Sequence, residues 1–176
     1  MSHRSPTALA AGLLLVLLAG CGTAASAPHP APPKLHTKSF FDPSVANADR
    51  YVKFPVGVPS VTAGYRRTSV YVSLPPTVAL RPKNTQITLT YQGAHGTFQL
   101  METALPMQIG GSNVTASSVQ GHVIQSQSLT QSTGQSIVTL QTRYRGVSYQ
   151  LTFVGQPGTP ATPLATAEAV LLSALP

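Results

Sequence analysis

The stretch Ile137 to Phe153, IVTLQTRYRGVSYQLTF, decides the fold. Its last seven residues alternate between polar side chains and the large apolar side chains of Val147, Tyr149, Leu151 and Phe153. Strict alternation is typical of a β-strand with one buried face and one wet face. The dipeptide Arg145-Gly146 separates two such runs and has the length of a tight hairpin turn. The stretch therefore predicts an antiparallel hairpin in a sheet that is covered on one side.

The same period of two recurs upstream of this hairpin. Residues 87–91 alternate between apolar residues and threonines, and the apolar run resumes at 98–100 after a glycine-flanked turn at 93–96. This spacing predicts a second hairpin. Shorter apolar runs at 70–73 and 123–124 predict further strands.

Two helices are expected at the ends of the folded part. Asp42-Pro43 combines a capping carboxylate with a proline at the first helical position, which predicts a helix of about Pro43 to Val52. Residues 162–175 predict a terminal helix, with Glu168 near its start where an acid favours the helix dipole. The predicted fold class is α+β: an antiparallel sheet of about five to seven strands with an N-terminal and a C-terminal helix packed on one face.

Composition excludes several classes of protein. The 176 residues include one Cys and no Trp, and only 9% of them are charged. These counts exclude a disulfide-stapled mini-protein, a cysteine-ligated zinc site, a coiled coil and a multi-domain enzyme. No spacing typical of a metal-binding or phosphate-binding motif occurs, so neither a metal nor another cofactor is expected.

Residues 1–20 have the pattern of a secretory signal peptide. Arg4 supplies the basic start, and Ala8 to Ala19 is an apolar run that is too short to span about 30 Å of bilayer as a helix. The run ends in Leu18-Ala19-Gly20-Cys21, which resembles the bacterial lipobox. That resemblance implies that Cys21 becomes the first residue of the mature chain and carries a lipid with palmitate-type acyl chains. The alternative is an ordinary cleavage site, in which Cys21 has no role.

The chain after the signal peptide divides into two predicted parts. Residues 21–41 are the lipidated cysteine and a Pro/Ala-rich tether, because clustered prolines favour an extended polyproline II spacer. Residues 42–176 form a single α+β domain. The predicted localisation is therefore the cell membrane, lipid-anchored, on the extracytoplasmic side.

Four short motifs in the folded part resemble the bacterial domain of unknown function 4367. In chain order they are FPVGVPS at 54–60 followed by Gly64-Tyr65, the strands at 87–91 and 97–101, GVSYQL at 146–151, and the closing segment 168–175. The likeness covers about 43–175, and Tyr144 stands where that family often has Trp. Members are typically extracytoplasmic and membrane-anchored, and no catalytic residues are assigned to the family. The resemblance therefore implies a sensing or binding module in the cell envelope and names no ligand.

Positive charge is the clearest candidate signal for a partner. The chain carries 11 Lys and Arg residues against 4 Asp and Glu residues, for a formal charge of +7. Pairs of basic residues bracket the predicted strands, and the candidate patch comprises Arg66, Arg67, Arg81, Lys83, Arg143 and Arg145. Such a patch would suit an anionic lipid, a wall polymer or an acidic envelope protein. A generally positive, solubilising surface is the alternative, and nucleic acid is not expected because the protein is exported.

Three classes of function stay open on the sequence. The first is a non-catalytic surface lipoprotein whose domain binds or senses a ligand, so no catalytic residue is assigned. The second is a lipid-handling module in which the apolar face of Val147, Tyr149, Leu151 and Phe153 lines a cavity for an acyl chain. The third is an exported hydrolase, which requires Glu102 or a histidine to converge with a serine in a cleft.

The scarcity of carboxylates carries a prediction about pH. Acid unfolding comes largely from protonating carboxylates that the native state uses in ionised form. With only 4 Asp and Glu residues, this fold has little to lose as the pH falls. We therefore expect the protein to tolerate an acidic medium outside the cell.

Overall fold

The computed structural model describes residues 38–42, 45–75 and 85–176. All of them belong to one compact unit, which spans residues 35–176. The predicted signal peptide, Cys21 and most of the predicted tether lie outside the described residues, as do Arg81 and Lys83 of the predicted basic patch.

Within the described residues, eight strands form one antiparallel sheet. In chain order they are β1 (Lys38–Asp42), β2 (Arg66–Leu74), β3 (Gln86–Gly93), β4 (Gly96–Thr103), β5 (Thr115–Val119), β6 (His122–Thr130), β7 (Ser136–Tyr144) and β8 (Val147–Gly155). Their order across the sheet is β1-β2-β3-β4-β8-β7-β6-β5. The last hairpin of the chain therefore lies in the middle of the sheet and not at its edge.

Both hairpins predicted from the sequence are confirmed. β3 pairs with β4 around a turn closed by Gly93 and Gly96, and β7 pairs with β8 around Arg145-Gly146. Arg145 and Gly146 have φ angles of 48° and 84°, as a type I′ turn requires at both central positions. This turn matches the twist of the flanking strands, so it fixes the register of the central pair.

The predicted N-terminal helix is wrong. Asp42 is the last residue of β1 and pairs with Val70, so it does not cap a helix. A four-residue helix, α1 (Val45–Ala48), and a 3-10 turn (Asp49–Tyr51) follow it. Ala48 reaches the core, but among the described residues no N-terminal helix packs on the sheet as a layer. Helical backbone is confined to residues 45–51, because Val52 is already extended, with φ −123° and ψ 163°.

The sheet has one strand more than the upper end of the predicted range of about five to seven. Six of the eight strands coincide with apolar patterns in the sequence, and the two that do not are β1 and β5. β5 has the sequence TASSV and is exposed along nearly its whole length. Edge strands are held mainly by backbone hydrogen bonds to one neighbour, so their side chains need not alternate. β1 begins at Lys38, ahead of the predicted start of the domain at Asp42.

The predicted C-terminal helix is present as α2 (Leu164–Ser173) and packs on β7 and β8. Its buried residues are Ala167, Val170 and Leu171. Glu168 lies past the first turn, so the expected role at the helix start does not apply to it. Among the described residues, no helix has the length and apolar character needed to cross a membrane.

The inner face of the sheet holds the hydrophobic core. Cross-strand rows run through it, such as Leu89, Leu100, Leu151 and Leu140, which are all fully buried. Tyr91, Phe98 and Phe153 form an aromatic row, and the Tyr91 and Phe98 rings stack with centroids 4.3 Å apart. α2 and the irregular segment 54–61, which we call the strap, cover this face.

The outer face of the sheet is polar and is crossed by one connection. β4 ends at Thr103 in the middle of the sheet, whereas β5 begins at Thr115 at its far edge, so residues 104–114, here called the crossover, must pass β8, β7 and β6. Two glutamine side chains hold it: Gln141 Nε2 donates to Met107 O, and Gln127 Nε2 donates to Ser112 O at 2.7 Å. This role explains the charge-free, Gln-rich composition of the region. A side-chain amide can donate to a backbone carbonyl at the sheet surface, whereas a charged side chain would stay in water.

Candidate functional site

The ladder between β6 and β7 stops before either strand ends. The pair Gln125–Gln141 is the last one in register between them. Beyond it, residues 122–124 pair only with β5 and residues 142–144 pair only with β8. Thr142 Oγ1 bridges the gap by donating to Val123 O at 2.8 Å. β6 and β7 therefore part and leave a split that is open at one end of the sheet.

A cleft of about 540 Å³ occupies this split. It lies against the outer face and is bounded on one side by the crossover. The lining residues are Met107, Gln108, Gly121, His122, Val123, Gln125, Gln141, Thr142, Arg143 and Tyr144. The lining thus combines three side-chain amides, a guanidinium, an imidazole and a phenol, and it contains no carboxylate.

Gln141 forms the floor of this cleft and is 7% exposed. Its amide nitrogen donates to the crossover, whereas its carbonyl oxygen Oε1 is buried and has no hydrogen-bond partner among the described residues. Buried acceptors without a donor are rare in folded proteins. The fold therefore places a polar group at the cleft without using all of its hydrogen-bonding capacity.

Arg143 is the cation of the cleft. Its guanidinium donates to Gly146 O at 3.1 Å and to Ser148 Oγ at 3.5 Å, and both acceptors are neutral. The positive charge is consequently held in place without being neutralised, and three of the five N–H groups stay free of these two bonds. Arg145 lies in the turn and places its guanidinium carbon 5.1 Å from the centroid of the Tyr144 ring. His122 also packs on that ring, edge-on, with centroids 5.2 Å apart.

The four described residues of the predicted basic patch do not form one surface. Arg66 pairs with Gln92, in a cross-strand row that ends at Val154 of β8. Arg143 pairs with Ser148 of the same strand. Residues 148 and 154 of β8 are about 20 Å apart at ~3.3 Å per residue. Arg66 and Arg67 therefore lie at one end of the sheet, and Arg143 and Arg145 lie at the other.

Arg67 lies beside the aromatic row at its own end of the sheet. Burial raises the pKa of Tyr91, and the guanidinium of Arg67 acts in the opposite direction. Arg81 and Lys83 lie outside the described residues.

The predicted apolar face is packed core. Val147, Tyr149, Leu151 and Phe153 are between 0% and 6% exposed. None of them lines the cleft or the second, apolar cavity of about 390 Å³, which lies among Tyr65, His95 and the residues around Pro160. The cavity that a lipid-handling module would need is therefore not found along these four residues, because α2, the strap and Tyr65 fill the space above them.

Glu102 is fully buried on the inner face, opposite Ile87 and Tyr149. Gly57 N donates to its Oε2 at 2.8 Å, and its Oε1 has no hydrogen-bond partner among the described residues. Burial raises the pKa of Glu102 to about 8, against the opposing effect of the Gly57 hydrogen bond. The carboxyl therefore holds the strap to the sheet and does not converge with a serine in the cleft, as the hydrolase alternative requires.

Comparison with known proteins adds no assignment. No family model, no curated protein and no solved structure matches the chain. The resemblance to the domain of unknown function 4367 and the lipobox both stay predictions.

The cleft residues were missed by sequence reasoning, apart from Arg143. Gln125, Gln141 and His122 lie in a segment whose amide-rich, charge-free composition stands out. That composition can indicate a polar binding surface, but it does not show where two strands part. A lost ladder leaves no local mark, because both strands continue to pair with their other neighbours.

Proposed function

We propose that this protein is a lipid-anchored extracytoplasmic protein whose domain binds a ligand in the cleft between β6 and β7 without chemically changing it. The observation that carries the proposal is the cleft itself: a break in an otherwise continuous ladder, lined by amides and a fixed arginine. Clefts of a few hundred cubic ångströms with a few convergent polar groups are the usual form of small-ligand sites. The anchoring part of the proposal rests on the lipobox-like sequence that ends in Cys21.

The cleft opens at the end of the sheet where the chain enters the domain. Lys38 is paired with Leu74. The neighbouring cross-strand row of paired residues runs through Gln86, Thr103 and Ser148. Arg143 lies on that same row, and Tyr144 lies one residue beyond it. The first described residue of the chain, Lys38, therefore lies at the same end of the sheet as the cleft.

Replacing Cys21 with alanine is expected to release the protein from the membrane fraction. The alanine side chain cannot form the thioether, so both acyl chains, at about 0.8 kcal/mol per buried CH₂, are lost. Partition between detergent and aqueous phases, with radiolabelled palmitate incorporation, measures the effect. A Ser26→Ala control changes the same stretch without removing the thiol. Unchanged partition and labelling in Cys21→Ala would show that the protein has no lipid anchor at this residue.

A cysteine placed in the cleft is expected to show on which side of the membrane the domain lies and whether a ligand occupies the cleft. Val123 is 66% exposed and lines the cleft, whereas Thr130 is exposed on the same strand at its other end. A membrane-impermeant maleimide should label Val123→Cys and Thr130→Cys equally in the purified protein. On intact cells Thr130→Cys should still react, while Val123→Cys should react more slowly because ligand fills the cleft.

Two outcomes of the labelling contradict the proposal separately. If neither cysteine reacts before the cells are lysed, the domain is not extracytoplasmic. If the ratio of the two rates is the same on cells as in the purified protein, the cleft holds no ligand in the envelope.

A further inference from the structure

We propose that the ligand of the cleft is an acidic polyol: a hydroxylated chain that bears carboxylate or phosphate groups. This inference rests on the proposed function, because it assigns a chemical class to the ligand of the same site. It rests on three observations: the fixed charge of Arg143, the positive balance around the cleft, and the amides that line it.

Arg143 is prepared for an anion. Its two hydrogen bonds go to a backbone carbonyl and a serine hydroxyl, so no carboxylate in those contacts cancels its charge. A guanidinium with free N–H groups binds carboxylate and phosphate in bidentate geometry. Because the two neutral partners already hold the side chain, little side-chain entropy is lost when an anion binds.

The charge around the cleft is positive and is not balanced locally. Arg143 lines the cleft, and Arg145 lies against Tyr144 at its edge. None of the lining residues is acidic. Glu102 lies on the opposite, inner face of the sheet, where it is fully buried beneath the strap. A polyanion is therefore attracted to this end of the molecule.

The rest of the lining suits hydroxyl groups. Gln108 and Gln125 are exposed amides that can donate to and accept from the same hydroxyl-bearing chain. Gln141 Oε1 is buried from solvent, so the hydroxyl groups of a bound chain contact the exposed amides of Gln108 and Gln125. A simple anion would use Arg143 alone, whereas a polyol uses the amides as well. The free space of about 540 Å³ accommodates a segment of chain of a few units and not a globular partner.

The test measures binding to the purified full protein in neutral detergent micelles at physiological ionic strength. The probes are oligogalacturonate, which supplies carboxylates, an oligomer of glycerol phosphate, which supplies phosphates, and uncharged maltodextrin. Micelles doped with phosphatidylglycerol form a fourth probe that presents an anionic membrane surface. We expect at least one acidic polyol to bind, maltodextrin to bind much more weakly, and NMR shifts to concentrate in residues 122–125 and 141–144.

Arg143→Gln and Arg66→Gln form a matched pair of variants. Both remove one positive charge from an exposed side chain, but only the first removes it from the cleft. The Debye length is about 8 Å at physiological ionic strength, so Arg66 contributes little at the distance of the cleft. Arg143→Gln should weaken binding at least about 10-fold, and Arg66→Gln less than about 2-fold. Gln125→Ala, which removes an exposed amide and leaves the Arg143 contacts in place, should weaken binding about 3-fold or more.

Several results would overturn the inference. They are the absence of binding to both acidic polyols, equal binding of maltodextrin, equal losses in the two arginine variants, or shifts in the cleft with phosphatidylglycerol alone. The last result would show that the cleft binds an anionic membrane surface. Each of them leaves the anchoring by Cys21 and the occupancy of the cleft on cells untouched, so failure of this inference is distinguishable from failure of the proposed function.

Discussion

Replacing Glu102 with glutamine should raise the melting temperature at pH 8.5 by on the order of 10 °C. The carboxyl has a pKa of about 8 in the fold against 4.5 when exposed, because burial disfavours its charged form. Between those pH values the folded state binds the proton and the unfolded state does not, so stability falls as the pH rises through this window. The ionised form costs on the order of 3–5 kcal/mol above pH 8, and glutamine does not ionise.

The groups that face Glu102 also support a fall in stability as the pH rises. The negative charge of Asp49, in the 3-10 turn, adds to the rise in the pKa of Glu102, and Tyr149 on β8 and Tyr91 on β3 are its titratable neighbours across the sheet. Their phenols have pKa values raised above 10, so they stay neutral through the window. Thermal unfolding between pH 4 and pH 9 should show a downward slope for the parent and a flat profile for Glu102→Gln.

Glu168→Gln is the matched control for this experiment. It makes the same chemical change on α2, where the side chain is only half-buried, and it should keep the slope of the parent. A parent protein whose melting temperature rises from pH 5 to pH 8, or collapses between pH 6 and pH 3, would contradict both the buried neutral carboxyl and the expected tolerance of acid.

Replacing Gly57 with alanine should lower the free energy of unfolding by about 3 kcal/mol. A Cβ at this position would lie against the backbone carbonyl of Ala174 and 3.2 Å from Tyr149 Cε1. Backbone cannot move aside as a flexible side chain does, so the strap itself must shift. The shift also lengthens the hydrogen bond from Gly57 N to Glu102, which leaves a buried carboxyl without its donor.

Gly110→Ala is the control for the Gly57 substitution. It adds the same methyl group in the crossover, where nothing lies within 4 Å, so the change in stability should stay within about 0.5 kcal/mol. Urea unfolding of the two variants and of the pair Gly57→Ala with Glu102→Gln measures the effect. Strictly additive losses in the double variant would show that the strap and the carboxyl do not depend on each other.

The strands with alternating apolar residues could be predicted from the sequence, and the edge strands could not. In β8 and β3 the polarity of each side chain indicates whether it lies on the buried or the exposed face, because successive side chains point to opposite sides of the sheet. β1 and β5 lack this pattern, and in β5 the side chains of both faces are exposed, so neither face selects apolar residues. The capping signal at Asp42-Pro43 was misleading for a different reason: Asp42 pairs with Val70 in the sheet, and the helix that follows it is only Val45–Ala48.

The candidate site shows the same division. Arg143 was predicted as a candidate because charge is visible residue by residue. It was grouped with Arg66 and Arg67, but those two residues lie at the other end of the sheet. Gly57 and Glu102 are 45 positions apart in the chain, and nothing in either sequence neighbourhood marks their contact. The split between β6 and β7 is a property of two strands together, so neither strand alone reveals it.

By itself the sequence determined that the described part would be an antiparallel sheet with one buried face, that its surface would be basic, and that its carboxylates would be few. These are sums over local properties: alternation, charge and composition. Tertiary structure alone decided that β8 would lie beside β4, that the crossover would bridge three strands, and that a break in the ladder would become a cleft. Those outcomes depend on which distant segments pair with one another, and the energy of a pairing belongs to both partners and to the chain that must close between them.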